Sequence, residues 1–331
     1  MLGVVTAPYK ATVLTDNDGA ANTGAVAMPA RRPLLMAGLG AATISWSAVF
    51  VAFARQGGAS AVATAFYRCA LALPVLVVLA AIEQRKCGPR PFAQRARAAM
   101  AGGFLAVDLI LWAHAITAVG AGVATVLGNL QVLFVAGIAW LVWHERPSRA
   151  VAVAIPVVML GVVLVSGLIG GPSTGQHPLA GVWYGMGTSL AYAGYLLTLR
   201  RASATSAHVA APVAEATLGA TIATLAFGLA FGGLELQPTW PAIGWLALLA
   251  LLSQTAGWLL ITSSLPRLPA AVSSLMLLLQ PAASLGLAAL MLGQRPTALQ
   301  IVGAVLTCGG ALAASMSATK AAAEAEVSPL G

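Results

Sequence analysis

Ten stretches of the chain are almost continuously apolar and close to the length that spans a bilayer. They are Leu34–Phe53, Ala61–Ile82, Ala98–Val119, Ala121–Trp143, Ala150–Ile169, Gly181–Leu199, Pro212–Phe231, Ala242–Thr262, Ala270–Leu292 and Ala298–Ser317. A helix needs roughly 20 such residues to cross the hydrocarbon core. Backbone amides in lipid are satisfied only inside a helix or a closed barrel, and barrel strands alternate apolar and polar residues over about ten positions. These runs do not alternate. They are rich in Ala, Leu and Gly, so the pattern predicts an all-α membrane protein with ten transmembrane helices. Pro74, Pro156 and Pro281 fall inside runs, where each frees a carbonyl and bends its helix.

The ten helices divide into two. An offset of 149 aligns residues 121–161 with 270–310 without a gap, pairing Gln131 with Gln280 and Arg146-Pro147 with Arg295-Pro296. An offset of 146 pairs Trp46 with Tyr192 and Arg55 with Arg201. Each half holds five helices. Five is odd, so the second half enters the membrane upside down, giving two inverted five-helix repeats. Such repeats recur in secondary transporters, whose binding site lies near the midplane between them. The predicted organisation is a disordered cytoplasmic tail over 1–33, repeat one over 34–169, a periplasmic linker over 170–180, repeat two over 181–317 and a loose cytoplasmic tail over 318–331.

Charge then sets orientation. The 17 Lys and Arg exceed the 9 Asp and Glu to give a net charge of +8, yet charged residues make up only 8% of the chain. With mean hydropathy at +0.89, a soluble enzyme, a nucleic-acid binder and a disordered chain are excluded. If the N-terminus is cytoplasmic, that side collects 14 of the 17 basic residues, the opposite side only Arg55 and Arg295, and Arg68 lies within a helix. The positive-inside rule therefore places both termini in the cytoplasm, and the inner membrane is the expected location. Cys69, Cys87 and Cys308 have no metal-site or disulfide spacing; no metal and no cofactor is implied.

Several motifs resemble the EamA family of the drug/metabolite transporter superfamily. They are Phe66-Tyr67-Arg68, Gly128-Asn129-Leu130-Gln131, the helix-ending His144-Glu145-Arg146-Pro147 and its echo Gln294-Arg295-Pro296. The likeness spans roughly 34–317. It departs from the family at Val132, where Pro is frequent, and at Gln294, where Glu is usual. The resemblance implies ten helices, a central cavity and transport, often export, of small metabolites such as amino acids.

Polar side chains at membrane depth supply the candidate site, because ionisable groups there are costly. Arg68 and Asp108 lie well inside helices two and three. They are expected to form a structural Arg–Asp pair or to act directly, with Asp108 taking a proton or a substrate ammonium and Arg68 meeting a carboxylate. Gln131, Gln254 and Gln280 lie near the midplane, either joining helices or lining a cavity. Trp46, Trp112, Tyr192 and Trp258 complete a lining suited to an amphipathic zwitterion, since a midplane indole or phenol needs a polar partner. Glu215, one turn into helix seven, reads as a snorkelling or helix-start residue. His114 reads as a structural histidine, and Glu145-Arg146-Pro147 as a hinge.

The function expected is secondary transport of a small molecule across the bilayer by alternating access, with protons as a candidate coupling ion through Asp108. The rivals are a membrane-embedded enzyme and a permease subunit of an ATP-driven importer. The first lacks a His-Glu-x-x-His helix or a Gly-x-Ser-x-Gly elbow, and the second lacks a Walker A motif of its own.

Overall fold

The computed structural model describes residues 31–143, 149–169, 177–203, 208–264, 268 and 270–327. The expected N-terminal tail up to residue 30 and the Glu145-Arg146-Pro147 hinge lie outside the described residues. The first repeat comprises α1 (Arg31–Ser45), α2 (Ser47–Gln56), α3 (Ala61–Ala70), α4 (Leu73–Cys87), α5 (Phe92–Val119), α6 (Ala121–Gly128), α7 (Gln131–Trp143) and α8 (Arg149–Val165). The second comprises α9 (Pro178–Ser203), α10 (Ala210–Phe231), α11 (Ala242–Leu248), a π-helix (Leu249–Gly257), α12 (Trp258–Ser264), α13 (Ala270–Leu292) and α14 (Ala298–Val327). The described residues contain no strand.

Among the described residues these pieces join into ten segments, because several runs are broken helices. Segment one breaks at Trp46, segment two at Leu71–Ala72, segment four at Asn129–Leu130, and segment eight widens into the π-helix. Six stretches are long and apolar enough to cross a membrane: Arg32–Gln56, Ala61–Cys87, Phe92–Val119, Ala121–Ile138, Ala210–Phe231 and Ala242–Ser264. Shorter apolar helices are Val153–Val165, Leu279–Leu292 and Ala298–Ala313. α9 is long but more polar, since Thr188, Ser189, Tyr192 and Tyr195 all lie on it.

Two boundaries differ from the sequence expectation. α9 starts at Pro178, inside the expected linker, because proline at a first helical position loses no needed amide. α14 continues to Val327, past the expected loosening at Lys320. The segment Ala-Thr-Lys-Ala-Ala-Ala-Glu-Ala-Glu is polar enough to leave the bilayer yet made mostly of strong helix formers. Apolarity marks the membrane limit, not the helix end.

Packing reproduces the repeat. Segment two packs on seven (α3 and α4 on α10), four on nine (α6 on α13) and five on ten (α8 on α14). Three of the five segments thus pack on their own counterparts, as helices lying close to a two-fold axis between the halves do. Contacts between unlike helices come in matched pairs too. α5 on α9 is matched by the π-helix and α12 on α1, and α1 on α13 by α9 on α6 and α7.

The ends follow the same rule with the membrane faces exchanged. At one end the loop between segments one and two meets that between seven and eight. Thr239 Oγ1 donates to Gly57 O at 2.7 Å, Ser60 N to Glu235 Oε2 at 3.1 Å and the Tyr67 hydroxyl to Leu236 O at 2.8 Å. At the other end the loop between two and three meets that between six and seven: Val209 N and Ala211 N donate to the Glu83 carboxylate at 2.6 and 2.8 Å, and Arg90 Nη2 to Ala202 O at 2.6 Å. Shifting each segment by five turns one set of ties into the other and swaps the ends, which is what inversion means.

Small residues bring the backbones together, as lipid-embedded packing favours. A Cβ on Gly102 falls against Ala216 O, and one on Gly219 against Ala99 O, so α5 and α10 cross backbone to backbone. Gly120 is the single residue between α5 and α6. Its φ of +91° is a left-handed conformation that side chains resist, and a Cβ there meets Gln294 Oε1 at 2.9 Å.

Candidate functional site

Arg68 projects from the last turn of α3 and is buried, with 5% of its surface exposed. Its Nε donates to Gln254 Oε1 at 2.8 Å. Gln254, 1% exposed on the π-helix, passes the link on, its Nε2 donating to Thr217 Oγ1 on α10 at 3.3 Å. A π-turn widens the helix, and such turns recur at functional sites. Here it is closed locally by Thr255 Oγ1 donating five residues back to Ala250 O at 2.9 Å. The Arg68 guanidinium lies 5.8 Å from the Trp112 ring centroid, a cation–π distance. Among the described residues its two Nη groups make no hydrogen bond, so the fork points into the interior uncommitted.

Asp108 lies on α5 one turn before Trp112. It is buried, and Thr188 Oγ1 on α9 sits 2.9 Å from its Oδ1 and 2.7 Å from its main-chain oxygen. One hydroxyl proton serves both acceptors, leaving Oδ2 without a hydrogen bond among the described residues. Asp108 and Arg68 make no ion pair within 4 Å, so the direct bridge expected from their depth is not formed. Gln254 takes the Arg68 Nε instead, while the Asp108 carboxylate and the Tyr192 and Tyr195 hydroxyls remain within electrostatic reach of the guanidinium.

Aromatic rings wall this cluster. Tyr192 stacks on Tyr195 at 5.7 Å, and Trp258 stands edge-on to Tyr195 at 5.9 Å and tilted to Tyr192 at 6.3 Å. Of the nine residues singled out in the sequence, the structure therefore gathers six: Arg68, Asp108, Trp112, Tyr192, Gln254 and Trp258. Trp46 is elsewhere, at the break of segment one, stacked on Phe50 at 5.8 Å; Phe50 in turn faces Trp245 at 6.2 Å. Gln131 is buried at the start of α7, just after the break of segment four. Gln280 is half-buried on α13 ahead of Pro281, and no hydrogen bond or ring contact joins it or Trp46 to Arg68.

Sequence reasoning passed over Tyr195, Thr188 and Thr217. Tyr195 sits three residues after Tyr192, a same-face spacing that was available as a signal. It also passed over the carbonyls released at the helix breaks, which hydroxyls from the other repeat collect. Ser284 Oγ on α13 donates to Ser45 O at 2.9 Å. Ser189 Oγ on α9 lies 2.9 Å from Leu127 O and 3.1 Å from Gly128 O.

Glu215 requires a correction. It is neither a snorkelling nor a helix-start residue, but ion-paired with Arg90, whose side chain is 1% exposed, and lies 3.4 Å from Arg95 Nε. The loop containing Arg90 folds back over α10, and depth in one helix says nothing about that. His114 stacks on Tyr184 with centroids 5.2 Å apart, a structural environment.

Membrane-length helices in two inverted halves, with a cation and a carboxylate buried among aromatic rings, are those of a multi-pass membrane protein with a polar interior site. The model of the EamA-like transporter family matches residues 34–167 and again 179–316, and the chain belongs to this family. Fifteen chains of solved structures match it. One, described only as "Crystal structure of protein", is 18% identical, covers 87% of this chain and 99% of its own, and aligns with a TM-score of 0.58, which shows the fold. No curated protein matches the chain.

Proposed function

We propose that the protein is a secondary transporter that exports a small zwitterionic metabolite, of the amino-acid class, by alternating access. The observation that carries the reading is Arg68: a buried guanidinium fixed through Nε by Gln254, with both Nη groups uncommitted. A planar fork with two parallel donors matches a carboxylate. Asp108 supplies a carboxylate oxygen for an ammonium or a proton, and Trp112, Tyr192, Tyr195 and Trp258 supply apolar surface for a side chain. Repeat one (34–169) and repeat two (181–317) rock about the shared site, the connection between them lying on the periplasmic side and ending where α9 begins at Pro178. The tails over 1–33 and 318–331 lie in the cytoplasm, and the membrane is the inner one. The distribution of Lys and Arg supports that orientation.

Counterflow into proteoliposomes preloaded with unlabelled amino acids tests this. Arg68→Lys keeps the charge but loses the fork, and is expected to reduce uptake at least tenfold while the protein still folds. Uptake equal to wild type overturns the role of Arg68. Asp108→Asn, measured with and without an imposed proton gradient, isolates coupling. Gradient-stimulated transport that persists in this variant removes Asp108 from the proton path.

A further inference from the structure

Arg68 carries a full positive charge in the interior, and its neighbours answer only part of it. A guanidinium has five N–H donors. Gln254 Oε1 takes the one on Nε, which leaves the four on the two Nη atoms without a hydrogen bond among the described residues. The Trp112 ring, 5.8 Å away, attracts the cation but adds no charge. Nor are the Nη atoms sealed in. Arg90 Nε is buried without a hydrogen bond, whereas both Arg68 Nη atoms keep surface toward the interior.

Among the described residues Asp108 is the one carboxylate within electrostatic reach of Arg68. No ion pair joins the two, and Thr188 Oγ1 holds Asp108 Oδ1 against α9 at 2.9 Å. Glu83 and Glu215 are engaged at one end of the bundle and Glu235 at the other. The other oxygens in reach are the Tyr192 and Tyr195 hydroxyls, which make no hydrogen bond among the described residues. Tyr195 is 1% exposed, so a hydroxyl left unmet there bears the cost of desolvation. The surroundings of the fork are thus rich in donors and short of acceptors, which suits a ligand that only accepts.

We propose that the Arg68 fork binds a small monovalent inorganic anion, chloride being the abundant one, and that this anion competes there with the carboxylate of the transported metabolite. Attraction to one guanidinium grows in proportion to the ligand's charge, but the cost of stripping its water grows with the square. A dianion such as sulfate is therefore disfavoured. Asp108 opposes the anion, yet Coulomb energy falls with distance, and contact with the guanidinium outweighs a carboxylate farther off. That opposition fixes two signs: neutralising Asp108 strengthens anion binding, and removing Arg68 abolishes it. The competition rests on the transport reading above; the anion site itself does not.

The purified full chain in neutral detergent, with no amino acid present, is titrated with sodium chloride, bromide or sulfate in place of sodium gluconate at constant ionic strength. Thermal unfolding is followed by tryptophan fluorescence. Chloride and bromide are expected to raise the Tm saturably, because a ligand bound only by the folded protein stabilises it, whereas sulfate does not. Arg68→Gln is expected to lose the rise, and Asp108→Asn to half-saturate at about tenfold lower chloride. Sulfate matching chloride, or chloride no better than gluconate, overturns the proposal on wild-type protein alone. So does a chloride response that survives Arg68→Gln, or an Asp108→Asn variant that binds chloride no more tightly than wild type. In counterflow, chloride replacing gluconate is expected to raise the apparent KM for the amino acid at unchanged maximal rate; a lower maximal rate at unchanged KM, or no effect, overturns the shared fork. Chloride stabilisation without amino-acid uptake refutes the transport reading and leaves the anion site standing, and uptake without chloride stabilisation does the reverse.

Discussion

The ion pair between Arg90 and Glu215 joins the two repeats at one end, and breaking it has a size that the structure fixes. Arg90 is 1% exposed and Glu215 12% at the side chain, so neither is freely hydrated. Removing one partner of a buried pair leaves an unpaired charge and costs about 3–5 kcal/mol. Arg90 also donates to Ala202 O at 2.6 Å, so Arg90→Ala orphans a carbonyl as well. Against this, Arg95 Nε stays 3.4 Å from the other Glu215 oxygen, offering partial compensation. The net expectation is about 3 kcal/mol. Arg95 is 56% exposed, and an exposed pair contributes ~1 kcal/mol or less, so Arg95→Ala costs far less. Arg90→Met/Glu215→Leu removes both charges and recovers most of the loss. The assay is reversible unfolding in mixed micelles with rising dodecyl sulfate, followed by tryptophan fluorescence. If Arg90→Ala costs no more than Arg95→Ala, the pair is not buried in the folded protein and the reasoning fails.

Three further perturbations separate close contacts from neighbouring space. Gly102→Leu drives a side chain into the α10 backbone and is expected to cost about 3 kcal/mol. Gly103→Leu next to it meets nothing within 4 Å and stays near wild type, so equal Tm values for the two would refute the α5–α10 crossing. Gln254→Leu strips the acceptor from buried Arg68 and is expected to cost about 2–3 kcal/mol. Gln254→Glu keeps an acceptor and recovers most of that, and equal losses in the two variants would deny the Arg68 hydrogen bond. Ser189→Ala, which frees the carbonyls at the segment-four break, is expected to cost about 0.5–1.5 kcal/mol in the same unfolding assay. No loss at all would mean that those carbonyls have another partner.

What the sequence makes legible here is height, and what it conceals is azimuth and reach. Bilayer thickness forces long apolar runs, so the segments are visible as composition. An odd number of segments per repeat dictates inversion without any geometry. Counting residues from a helix end also gives depth, which is why Arg68, Asp108 and Gln254 stand out together. Depth cannot tell which of two groups at one level an arginine chooses. Arg68 takes the neutral Gln254 on the π-helix, whose widened turn no hydropathy pattern announces, and Asp108 takes Thr188. Gln280 matches Gln131 through the repeat, yet it lies half-buried on α13 and depth alone does not join it to the cluster. Ends are harder still. Glu215 and Arg90 are 125 residues apart, and their pairing depends on a loop closing over α10. The two ends are nonetheless built from different materials, one with a buried ion pair and a capping carboxylate, the other largely with hydroxyls on main-chain oxygens. The fold's symmetry requires ties at both ends but leaves their chemistry free, and that freedom is where a symmetric scaffold acquires two unlike faces.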